Sequence, residues 1–165
     1  MGGKDFRDED LRGRDFSGQE LSGADFRGAD LAGARFSGAK LAGANFEEAD
    51  LYQCWLDFAN LSGAVFRDAN LEFAVLGGAN ASGADFEGAD LMRANLVGTN
   101  ATGTSFRDAD LYYSRPGNAN LAGADFRGAN LDRAIMRRAN LFGADLRDTE
   151  GTPNLDRANL TGVKQ

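Results

Sequence analysis

A large apolar residue returns at every fifth position of this chain, in one unbroken frame from Phe6 to Leu146. Phe26, Leu31, Phe36, Leu41 and Phe46 show the beat. Most of these central positions hold Leu or Phe; Ala81, Ala101, Pro116 and Met136 are the departures. Two residues before each centre stands a small residue, nearly always Ala from Ala24 to Ala144, with Cys54, Thr99, Thr104 and Ser114 as exceptions. The residue between them is polar, usually Asp or Asn, and the two after the centre are often polar and then Gly. An extended backbone sends alternate side chains to opposite faces. Ala29 and Leu31 therefore point inward, Asp30 points outward, and Ala32-Gly33 turns the chain. A period of five does not fit a helix of about 3.6 residues per turn, and each recurrent Gly costs about 1 kcal/mol against Ala inside one. The predicted unit is a very short strand followed by a corner.

The phenylalanines set the length of a lap. From Phe46 they recur every twenty residues, at Phe66, Phe86, Phe106 and Phe126, with Phe6 and Phe26 in the same register. A lap of four units stacks these rings in one column inside a square solenoid. A lap of two units could hardly enclose two Phe and two Ala side chains. Stacked laps pair like parallel strands roughly 4.8 Å apart, so about seven laps make a prism on the order of 34 Å long. The fold class predicted is all-β, one solenoid domain over residues 1–165. Residues 1–20 read as a polar N-terminal cap, because Lys4, Glu9, Arg14 and Gln19 occupy the small inward position and charge at an open end blocks further stacking. Residues 147–165 read as an irregular break and a last partial lap, since Leu155 follows Leu146 by nine residues. Pro116 lacks an N–H for a ladder, which predicts a bulge or turn over Ser114–Asn118. Ala81 and Ala101 neighbour each other in one column and predict an underfilled or drawn-in wall.

Composition narrows the function. The 165 residues contain no His, which removes the commonest general base and metal ligand. No nucleophile, base and orienting group can be assembled from the pattern, so a non-enzymatic protein without cofactor or metal is predicted. The Asp residues do not follow the glycine-paired nonapeptide spacing of a calcium-binding β-roll. The single cysteine, Cys54, sits in an Ala slot and reads as a buried small hydrophobe. No apolar run approaches membrane-spanning length, and Met1–Phe6 has no signal-peptide core. A cytoplasmic location without membrane association is expected. The net charge of −7 argues against direct nucleic-acid binding and for a basic protein partner, or one that normally binds DNA.

Placing residues modulo twenty sorts the surface into columns. One holds Asp5, Asp25, Asp85, Asp125 and Asp145; a second Asp8, Glu48, Asp68, Asp108 and Asp148; a third Asp10, Asp30, Asp50, Asp90, Asp110 and Glu150. A mixed column of Arg7, Arg27, Glu47, Arg67, Glu87, Arg107, Arg127 and Arg147 runs between them. Candidate partner-binding acids are Asp10, Asp30, Asp50, Asp85, Asp90, Asp110, Asp125 and Asp145. The neighbouring sector is net basic and gathers outward apolar residues, among them Phe58, Val75, Met92 and Ile135. Its candidate binding residues are Tyr52, Trp55, Phe73, Arg93, Tyr112, Tyr113 and Arg115, types enriched at interface hot spots. A third sector carries a glycine column from Gly23 to Gly143 and an asparagine ladder from Asn60 to Asn140. Duplex DNA carries one charge per ~1.7 Å, and the acidic side supplies about half that density.

The A(D/N)LxG and A(D/N)FxG units from Asp5 to Leu146, with a shifted remnant at Leu155 and Leu160, resemble the pentapeptide repeat proteins. The resemblance implies a right-handed quadrilateral β-helix with four units per coil. Its quinolone-resistance members imply, as partner, DNA gyrase or another type II topoisomerase, bound through a surface that mimics DNA. The alternative reading is a scaffold or regulatory protein that binds an unknown partner through the aromatic and Arg sector. Members that dimerise through their C-terminal coils leave two oligomeric states open, a monomer and a C-terminal homodimer.

Overall fold

The computed structural model describes residues 4–165; the part of the polar cap at residues 1–3 lies outside them. Parallel bridges join residues twenty apart: Asp5 to Asp25, Asp10 to Asp30, Asp15 to Arg35 and Glu20 to Lys40, and so on along the rod. Four registers per lap make four walls separated by four two-residue corners, at residues 7–8, 12–13, 17–18 and 22–23 of the early laps.

The repeat follows from backbone bookkeeping, because each buried N–H needs an acceptor. In Ala29–Gly33, Ala29 donates to Phe26 O across the corner (3.0 Å), and Asp30 donates to Glu9 O on the preceding lap (3.0 Å). Leu31 and Gly33 donate to Asp50 O and Tyr52 O on the following lap (2.7 and 2.8 Å). The Ala32 N–H meets the Asp30 carboxylate Oδ1 at 3.2 Å. All five donors are thereby satisfied. The short Asp or Asn side chain before each centre is thus a turn cap, a role its length suits. The second corner residue is left-handed throughout, as at Gly33 (φ +68°), which explains the glycine beat.

The interior is apolar and columnar. The centres and the alanines two residues before them form one continuous buried core from Leu11 to Leu146. Phe46, Phe66, Phe86 and Phe106 stack face to face with centroids 4.8, 4.6 and 5.3 Å apart. Early on a second column, Phe16 over Phe36 at 4.9 Å, meets the first edge-on. Thr99 and Thr104 fill Ala slots by donating their hydroxyls to Leu76 O and Ala81 O, both at 2.7 Å. The ends differ. Lys4, Glu9, Arg14 and Gln19 are exposed over the first lap, with the Arg14 guanidinium 5.1 Å from the Phe16 ring centre. At the other end the step shortens by one residue, so that Ile135, Asn140 and Asp145 pair with Asn154, Asn159 and Lys164.

The structure corrects the expectation at Pro116. There is no bulge: the turn pattern runs on unchanged, Asn95 bridges Arg115, and Pro116 is buried like other centres. What is lost is one bridge, between Arg115 and Ile135. Ile135 N still donates to Ser114 O, but Pro116 has no N–H for Ile135 O. The frame survives because proline fits an extended centre and removes only a donor. Pro116→Leu restores that bond, worth about 1 kcal/mol net, and places a leucine between Leu96 and Met136 in the column. Losing the proline's restraint on the unfolded chain offsets about 0.5 kcal/mol. Denaturant unfolding should therefore show this variant more stable by about 0.5 kcal/mol.

Candidate functional site

Left-handed backbone is cheap for Gly and costs other residues on the order of 1 kcal/mol. Among the described residues, fourteen non-glycine residues adopt it, all at second corner positions. Their distribution differs from corner to corner. The 22–23 corner has Gly at every lap from Gly23 to Gly143. The 7–8 corner carries Asp8, Glu48, Asp68, Asp108 and Asp148 at φ of 54–60°. The 12–13 corner carries Gln53, Phe73, Arg93, Tyr113 and Arg133 at 55–59°. The fold does not require these side chains, since Gly serves elsewhere.

The 7–8 corner forms an acidic edge. Asp68 Oδ1 lies where a Cβ on Gly88 would stand, 2.3 Å away, and Asp108 lies over Gly128 in the same way, at 2.1 Å. Asp8, Asp68 and Asp108 each fold over the bare glycine corner of the next lap, while Glu48 is followed directly by Asp68. Among the described residues, Asp8, Glu48, Asp68, Asp108 and Asp148 make no ion pair. The same holds on the adjoining wall for Asp50, Asp90 and Asp110, whose Oδ1 atoms cap Tyr52, Met92 and Tyr112 N–H at 3.0, 2.9 and 2.9 Å.

The wall on the other side of this edge is neutralised. Asp125 and Asp145 are held by Arg127 and Arg147 at 2.5 and 2.7 Å, and Asp85 by Arg67 at 2.6 Å. On the Asp50 wall itself, Asp10 pairs with Arg12 at 2.6 Å, and Arg12 also reaches Asp30 at 3.2 Å. Of the eight candidate acids, then, only Asp50, Asp90 and Asp110 are left as uncompensated charge. The pairing has a pH signature. Hydrogen bonds from Arg7 and Arg12 lower Asp5 and Asp10 to about 2, and those from Arg147 hold the buried Asp145 lower still. A depressed carboxyl pKa adds stability above its unfolded value near 4, and that stability drains as pH falls through the folded value. Thermal melts should decline between about pH 4 and 2, with the decline smaller in Asp145→Asn.

The aromatic sector is a stacked strip. The Arg93 guanidinium lies 5.4 Å from the Phe73 ring centre and that of Arg133 lies 5.2 Å from Tyr113. Tyr52 meets Phe73 edge-on at 5.9 Å, and Tyr112 meets Tyr113 likewise at 4.7 Å. Trp55 stands apart on the next wall, 48% exposed. Arg115 lies exposed on that same wall. Cys54 is wholly buried, and burial pushes its thiol far above the ordinary range, so it packs and does not react. On the remaining side the asparagines form a ladder, Asn100 donating to Asn80 and Asn140 to Asn120 at 3.0 Å each, with the Thr102 hydroxyl relaying from Asn120 to Asn100. No helix among the described residues is long and apolar enough to cross a membrane.

A four-cornered solenoid built from five-residue units is the class this geometry defines. The chain belongs to the pentapeptide repeat family: the model for pentapeptide repeats matches in eight copies over residues 10–47, 20–56, 44–80, 69–108, 89–115 and 117–149. A pentapeptide repeat protein from the Arabidopsis thaliana thylakoid lumen is 42% identical, covering 64% of this chain and 70% of that one, with a TM-score of 0.50. QnrB1, a plasmid-mediated fluoroquinolone resistance protein, is 26% identical as a trypsin-treated variant. That match covers 99% of this chain and 89% of that one, with a TM-score of 0.60. A second trypsin-treated variant of QnrB1 has the same identity and TM-score over 98% and 86%. No curated protein matches the chain.

Proposed function

We propose that this protein is a non-enzymatic interaction module whose acidic edge occupies the DNA-binding surface of a protein partner, a type II topoisomerase such as DNA gyrase. The observation that carries the reading is the run of Asp8, Glu48, Asp68, Asp108 and Asp148 in left-handed corners, beside the unpaired Asp50, Asp90 and Asp110. These carboxylates recur at intervals of one or two laps, on a rod taken as right-handed with about seven laps of roughly 4.8 Å. Carboxylates so arranged present a line of negative charge to a basic groove at a density below that of duplex DNA. Similarity to QnrB1 along nearly the whole chain supports the choice of target. The reading places the protein in the cytoplasm with its target and needs no cofactor or metal. It accommodates a monomer as well as a homodimer joined at the C-terminal lap. A supercoiling assay with gyrase tests it. The native protein inhibits the enzyme or protects it from quinolone at micromolar concentration, and Asp68→Lys with Asp108→Lys abolishes the effect. No effect of the native protein removes the reading.

A second reading is favoured by one observation. Phe73, Arg93, Tyr113 and Arg133 also hold left-handed corners, and such bulky residues there carry a backbone cost with no turn-capping return. A scaffold surface for another protein, centred on Tyr52, Trp55, Phe73, Arg93, Tyr112, Tyr113 and Arg115, fits them. Unchanged partner capture by Trp55→Ala with Tyr113→Ala rules that surface out.

A further inference from the structure

The 17–18 corner lies diagonally across the rod from the acidic edge, and it changes character towards the C-terminus. Gly77 and Gly117 leave the first corner position bare, and between the laps around Gly117 a groove of roughly 420 Å³ opens. Val97 and Ile135, 39% and 38% exposed, give it an apolar side. Arg115, Arg137 and Arg138 give it a basic one. Arg137 is held by Asp156 at 2.9 Å, whereas Arg115 and Arg138 are exposed and make no ion pair among the described residues. Arg138 is another residue in a left-handed corner where Gly would serve. The Ile135 carbonyl also lacks its ladder donor, because the residue beneath it is Pro116. A Cβ on Gly117 would stand 3.7 Å from it.

We infer that this groove binds an extended acidic segment of a protein partner, as a site separate from the acidic edge and independent of the gyrase reading. Each feature asks for a group that such a segment carries. Two unpaired guanidiniums fit carboxylates, with which arginine makes paired, charge-assisted hydrogen bonds. Val97 and Ile135 cover an apolar side chain of the ligand. The chain is net negative elsewhere, so the patch also steers an anionic partner to this one place. A nucleic acid fits less well, because a phosphate backbone has no apolar group to set against Val97 and Ile135. The groove borders the aromatic sector and shares Arg115 and Ile135 with it, but Trp55 and Phe73 lie outside.

Fluorescence anisotropy with a labelled, end-blocked peptide of alternating glutamate and valine tests this, with an oligothymidylate of equal charge alongside. The full-length protein binds the peptide more tightly than the oligonucleotide. Arg115→Glu with Arg138→Glu weakens peptide binding about tenfold or more. Gly117→Asp does the same by placing a competing carboxylate in the groove; its Cβ has only ordinary contacts there, the nearer at 3.6 Å, so the fold is kept. Trp55→Ala leaves the peptide affinity unchanged even if it abolishes capture by an aromatic-sector partner. Asp68→Lys with Asp108→Lys likewise leaves it unchanged whatever becomes of gyrase inhibition. No peptide binding, equal binding in both groove variants, or tighter binding of the oligonucleotide through the same arginines overturns the inference.

Discussion

Phe86→Ala is expected to lower the unfolding free energy by about 3–5 kcal/mol in denaturant titration. The ring is fully buried and stacked on both sides, 4.6 Å from Phe66 and 5.3 Å from Phe106. Each stacked pair contributes about 0.5–1.5 kcal/mol beyond the area it buries. The cavity cannot easily refill, because the centre one unit earlier in the same lap is already the small Ala81. A solenoid is stabilised by nearest-neighbour interfaces, so a weak lap can also divide unfolding into two steps. Phe58→Ala provides the contrast. That ring is 74% exposed and lies over Gly78, and its loss stays within about 0.5 kcal/mol. Equal costs for the two substitutions would contradict the columnar core.

Gly151→Ala is expected to release the last lap while leaving the rest of the rod folded. Gly151 sits where the step shortens by one residue, with φ of +83°. A Cβ there would stand 2.3 Å from Asp132 Cα and 2.5 Å from Asp132 N. Those are backbone atoms of the lap below, so no rotamer change relieves the overlap. The cost is bounded by the stability of what it holds, because terminal laps can open alone. Hydrogen exchange reads this directly. Met136, Leu141 and Leu146 N–H, which donate to Asn154, Asn159 and Lys164 O at 2.9, 2.9 and 2.8 Å, lose protection. Phe66 and Phe86 N–H retain theirs. Retained protection at Leu141 and Leu146 would show that the corner can absorb a side chain.

Much of this architecture is legible in the sequence because one beat fixes it. Twenty-residue recurrence of Phe placed Phe46 over Phe66, and inward alanines made room for the rings. The role of Asp and Asn before each centre was not legible from alternation alone. Asp30 faces outward as expected, but it caps the Ala32 N–H, so much of the acid on two walls serves the turns. Pairing was hidden too. The columns put Arg127 beside Asp125 without showing that the two form a bidentate contact, which takes Asp85, Asp125 and Asp145 out of the acidic surface. The corner acids at Asp68 and Asp108 were visible as a column but not as candidate binding residues. The signal that finds them is the exchange of Gly for a charged residue where the backbone is left-handed. At Pro116 the residue's missing donor was read correctly and its geometric consequence was not, since an extended centre accommodates the ring.

The central claim is that the uncompensated corner and wall carboxylates are what the partner reads. The most direct measurement is the affinity of the native protein for gyrase across a salt series, beside Asp68→Asn with Asp108→Asn and beside Trp55→Ala. The account predicts that binding weakens steeply as salt rises, that the asparagine pair lowers both the affinity and the steepness, and that Trp55→Ala changes neither. A salt-insensitive affinity, or one lost with Trp55 and kept without the two acids, would contradict it.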